Sequence, residues 1–75
     1  MLTKTQLIKS IWLCDNDKVW KECQRYGVQV SRNDYTEESG RYEGANTWLQ
    51  YQHLGLIVTL HVCRGEVTTI ETAPV

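Results

Sequence analysis

The spacing of hydrophobic and polar residues changes once along this chain, at Gly27. Before it, apolar residues recur every three or four positions; after it they alternate, so helices are predicted first and strands second. Thr3 and Gln6 have the spacing of a capping box, in which the Thr hydroxyl accepts from the third helical N–H and the Gln side chain reaches back to the cap. Leu2 and Leu7 stand where a hydrophobic staple belongs. The first helix is therefore expected to start at Thr3 and end near Leu13. Leu7, Ile8, Ile11, Trp12 and Cys14 form its apolar face, with Lys9 opposite.

Asp15, Asn16 and Asp17 are suited to the start of a second helix, because their oxygens accept from free N–H groups and their charge matches the positive end of the dipole. Val19, Trp20, Cys23 and Tyr26 are expected to line its buried side, and Lys18, Lys21, Glu22 and Arg25 its outer side. Gly27 occupies the place of a left-handed C-cap.

Val28 to Ser31 then alternates as a short strand. The acidic segment 34–46 reads either as a loop or as a hairpin turning at Ser39 and Gly40. Three further strands are predicted at Thr47 to His53, Leu56 to Cys63 and Glu66 to Thr72. The pairs Leu54-Gly55 and Arg64-Gly65 between them are the right length for tight hairpins. Pro74 is expected to end the ladder. The resulting fold class is α+β: an N-terminal helical hairpin (1–27) packed on one face of a three- or four-stranded antiparallel sheet (28–75), in the order ααββββ.

A chain of 75 residues is read as one domain. It buries only roughly 60% of the surface it exposes when unfolded, so dense aromatic packing or association is expected to support it. The three Trp and four Tyr supply such packing. Cys14, Cys23 and Cys63 are widely spaced and odd in number, which argues for a reducing, cytoplasmic setting over a disulfide scaffold. Lys4 and Lys9 interrupt the N-terminal apolar residues, so neither a signal peptide nor a membrane partner is expected. The net charge of −1 conceals an asymmetry: the first thirty-three residues carry six basic against three acidic groups, and the remainder two against six. A charged partner is thus allowed at either end.

No catalytic motif, cofactor fingerprint or metal-ligand spacing stands out, so a non-enzymatic role is expected, without cofactor or metal. If Leu49 and Tyr51 point inward with Leu56, strict alternation sends Trp48, Gln50 and Gln52 outward beside Ile57, Thr59 and His61. That mixture of rings, amides and aliphatics is typical of protein-binding surfaces. A register shifted by one residue would place Trp48 in the core instead. Tyr35, Glu37, Glu38, Tyr42 and Glu43 in the acidic segment are a second candidate protein-binding element. Lys18, Lys21, Arg25 and Arg32 form the alternative, a nucleic-acid-binding face on the second helix. There a helix-turn-helix reading is weakened by the acids at that helix's N-terminus.

The leading expectation is a small inhibitor or adaptor that binds another protein, with homodimerisation through the outer sheet face or an open strand edge as one form of that binding. Its size alone also fits the small accessory proteins of phages and mobile elements.

Overall fold

The computed structural model describes residues 1–75 as two helices followed by a four-stranded antiparallel sheet. The elements are α1 (Lys4–Trp12), α2 (Asn16–Tyr26), β1 (Val28–Glu37), β2 (Gly44–His53), β3 (Leu56–Cys63) and β4 (Glu66–Pro74). The strands form a meander in the order β1-β2-β3-β4, which leaves β1 and β4 as the two edges. No helix is long and apolar enough to cross a membrane.

Local chemistry accounts for most of the boundaries. Thr3 Oγ1 accepts from the Gln6 N–H, and Gln6 Oε1 accepts from the Thr3 N–H, so the capping box of α1 is complete. Both tight hairpins have positive φ at their two central residues, at Leu54 and Gly55 and again at Arg64 and Gly65. This is the primed geometry whose twist matches paired strands. The segment 34–46 resolves into a hairpin: β1 and β2 pair from Val28↔Gln52 to Glu37↔Gly44, and residues 38–43 make the turn.

A single apolar cluster lies between the helices and one sheet face. Leu7, Val19 and Cys23 meet Leu49, Tyr51, Leu56, Val58, Leu60, Val62 and Val67 there. The face of α1 is narrower and rotated relative to the sequence reading. Leu7 and Ser10 are buried and Ile11 half-buried, whereas Ile8, Leu13 and Cys14 are exposed and Trp12 is 83% exposed. The cause is position in the stack: α1 packs mainly against α2, so one seam suffices to close it.

Other expectations need correction on α2, where Tyr26 is 44% exposed rather than buried. Asp15 makes no side-chain capping bond; Asn16 instead donates from Nδ2 to the Val67 carbonyl and ties the helix to β4. Gly27 has an ordinary extended φ of −86°, so backbone freedom is not its purpose. A Cβ at that position would stand 2.8 Å from the Cys23 carbonyl oxygen and 3.3 Å from the His53 Cβ, so space demands a glycine. Pro74 does not end the ladder either: it pairs with Leu56, and the Val75 N–H donates to the Gly55 carbonyl beyond it. A proline is tolerated there because β4 is an edge strand.

Candidate functional site: the outer face of the sheet

Directly opposite residues of an antiparallel pair share a face. The β2–β3 register pairs Leu49 with Leu60 and Tyr51 with Val58 on the helix side. On the outer side it pairs Trp48 with His61, Gln50 with Thr59 and Gln52 with Ile57. Trp48 is therefore not a core residue. β1 adds Tyr35, opposite Asn46, to the same outer side.

His61 is the organising residue of this face, and it is 1% exposed. Trp48 stacks on its ring with centroids 4.4 Å apart and planes 19° from parallel. Tyr42 meets it edge-on at 4.8 Å, and Tyr35 lies parallel at 6.4 Å. The alternation had offered His61 itself as a contact residue. It stands on that face, but these rings close over it, so a partner would meet Trp48 and Tyr35 instead.

The polar contacts fix the imidazole in one orientation. Asn46 Nδ2 donates to the carbonyls of Tyr42 at 2.7 Å and Gly44 at 2.9 Å, which leaves Asn46 Oδ1 to accept. It lies 2.8 Å from His61 Nε2, so that nitrogen carries the hydrogen. Thr68 Oγ1 sits 2.7 Å from His61 Nδ1 and 3.1 Å from the His61 carbonyl. Its rotatable hydroxyl therefore serves the other side of the residue. Thr68 reaches both atoms because β4 is irregular here: the register shifts between His61 and Val62.

Sequence reasoning missed Asn46 and Thr68, the two residues that hold the cluster together. Asn46 closes the segment 34–46 that reads as a loop or a hairpin, and its partners become visible only once Tyr42, Gly44 and His61 are brought to it. Thr68 is displaced by a bulge that alternation cannot anticipate.

The rest of the face is a polar apron. Gln50 Nε2 donates to Thr59 Oγ1 across the strands at 3.2 Å, Ile57 is half-buried and Gln52 is exposed. In the acidic turn, Tyr42 is drawn into the His61 cluster, Glu37 is half-buried, and Glu38 and Glu43 remain exposed at the rim. Arg64 Nε donates to the Glu43 carbonyl at 2.8 Å and ties this turn to the β3–β4 hairpin.

The basic candidates separate into two places. Lys18, Lys21 and Arg25 line one shallow groove on α2 together with Met1, Leu2, Tyr26 and three acids, Asp15, Asp17 and Glu22. Arg32 lies on β1, where its guanidinium grips the Asp34 carboxylate at 3.0 Å. That contact, followed by the Thr47 hydroxyl bond, holds the Asp34 carboxyl below the ordinary aspartate range.

Glu22 departs from its expected outer position. It is buried, and its Oε2 accepts from the Leu2 N–H at 3.0 Å and from His53 Nε2 at 2.8 Å. With Glu22 turned inward, Lys18, Lys21 and Arg25 have no ion-pair partner.

The cysteines are all free thiols. Cys23 is fully buried; burial first, and then the neighbouring Glu22 carboxylate, push its thiol up to about 11. Nothing activates it as a nucleophile. Nor is Cys63 coupled to a histidine, since both ring nitrogens of His61 are engaged by Asn46 and Thr68. No group of three or more His, Cys, Asp or Glu residues converges to hold a metal ion.

In comparisons with known proteins, no family model, no curated protein and no solved structure matches this chain.

Proposed function

We propose that this chain is a protein-binding module of the inhibitor or adaptor kind, and that it binds through the outer face of its sheet around Trp48. The observation that carries this reading is the rigid aromatic platform: Trp48 is stacked on an imidazole pinned through Asn46 and Thr68, with Tyr35 beside it. Rings held in place before binding lose little entropy on contact, which is why such residues dominate binding energy. No helix covers this face, and the apron of Gln50, Gln52, Ile57 and Thr59 supplies adaptable polar and apolar contacts. The turn at 38–43 adds exposed charges of both signs, Glu38, Arg41 and Glu43, next to Tyr42. The test is Trp48→Ala, with retention of fold checked by circular dichroism. Loss of binding to a partner taken from the native host supports the reading; a folded variant with unchanged binding refutes it.

A second reading rests on Lys18, Lys21 and Arg25, which have no ion-pair partner although Asp15, Asp17 and Glu22 share their groove, as a site for nucleic-acid phosphates. Fluorescence anisotropy with a labelled duplex at low salt tests it, because phosphate binding weakens steeply as salt rises. Absence of binding at low salt removes this reading.

A further inference from the structure

The sheet has two open edges, and they differ. On β4, the irregularity at Thr68, the acidic Glu66 and Glu71 and the missing N–H of Pro74 all discourage the addition of another strand. On β1, the register shift falls between Gln29 and Ser31, near one end. From Ser31 to Glu37 the strand is regular and runs along the sheet margin, with Arg32 through Thr36 exposed. Such a run offers a row of unpaired backbone donors and acceptors.

The charges on this run are self-complementary. Arg32 and Asp34 flank Asn33, lie on the helix-side face, and keep side-chain exposures of 59% and 58%. If a second β1 runs antiparallel about a twofold axis at Asn33, Arg32 faces Asp34 of the second copy, and Asp34 faces its Arg32. Tyr35 then faces Ser31, where the regular pairing ends because Val30 falls at the irregularity. An axis at Arg32 or at Asp34 would instead set like charges against each other, which is unfavourable for directly opposed residues. Among these three axes charge favours Asn33, and the contact is isologous, the same patch meeting itself.

We propose that the protein forms a twofold homodimer in which two β1 strands join edge to edge about Asn33, making one continuous eight-stranded sheet. The axis stands normal to the sheet, so both helix layers lie on one side and both Trp48 platforms on the other. Tyr35 brings each platform to the joint, and the dimer presents two binding faces side by side. This inference does not rest on the protein-binding reading: the dimer forms whatever the outer face contacts.

Sedimentation velocity at about 100 µM chain, with reductant to keep the thiols free, tests it. Wild type is expected at twice the 8.7 kDa of one chain. Arg32→Glu and Asp34→Arg, both surface changes, are each expected to sediment as monomers, since each places like charges opposite one another. Mixing the two restores complementary pairs and is expected to restore a dimer. The swap Arg32→Asp with Asp34→Arg keeps one charge of each sign per strand and is expected to dimerise alone. It serves as the check if a single variant folds poorly. A monomeric wild type overturns the proposal, as does a dimer that persists in both single variants or mixed variants that stay apart.

Discussion

Glu22 shows how a single side chain can change its role between sequence and structure. Four residues beyond Lys18 on a polar helix, it has the spacing of a solvated ion pair, yet it holds the N-terminal segment and the end of β2 to α2 through Leu2 and His53. Its partner lies thirty-one residues away, so no local signal reveals the pairing. A buried charge that loses its partner is costly, so His53→Ala and Glu22→Ala are each expected to lower stability by about 3 kcal/mol. In urea titrations the double variant should fall short of the summed losses by at least about 1 kcal/mol. Strict additivity would mean that the contact contributes nothing. Cys23 beside it sets a pH limit. The unfolded chain's thiol ionises from 9.0 upward while the folded one stays protonated to about 11. Its contribution is therefore complete below pH 9 and is lost as pH rises across that window. The stability gap between wild type and Cys23→Ala should narrow over the same window; a constant gap would contradict it. What was legible at this scale was local: the Thr3–Gln6 box and the two hairpin dipeptides depend on neighbours in sequence alone.

At the scale of elements, the register pairs Leu49 with Leu60 and Trp48 with His61, the one of the two registers that alternation allows in which Leu49 points inward, because a half-buried sheet ties register to hydrophobic pattern. The helical period was less decisive. Ile8 and Trp12 continue the apolar spacing of α1 but face solvent, since one neighbouring helix needs only the seam of Leu7, Ser10 and Ile11. Chemical denaturation separates the two faces: Leu7→Ala should cost about 3 kcal/mol, and Trp12→Ala should stay within about 0.5 kcal/mol. Equal losses would show that α1 is rotated otherwise. Bulges were the other illegible feature. The shifts at Gln29/Ser31 and His61/Val62 depend on how strands bend around the core and on what Thr68 can reach.

The whole molecule divides its labour between the two faces of one sheet. The helix side holds the apolar cluster and the Glu22–His53 pair, and the outer side holds a second, aromatic cluster around His61. An inward Leu49 puts Trp48 on the outer side by alternation, but alternation does not show that His61 is sealed beneath it, because Tyr42 arrives from the turn at 38–43 and Asn46 from the start of β2. Within our account, the platform is the contact surface and the buried network beneath it is its support. The most direct measurement is quantitative cross-linking capture from the native host, comparing wild type, Trp48→Ala, and Lys18→Glu combined with Lys21→Glu. The expected result is a protein partner whose binding weakens about thirtyfold in Trp48→Ala and is unchanged in the double α2 variant. A folded Trp48→Ala that retains its partner would contradict the account, and binding lost only in the α2 variant would move the site to that helix.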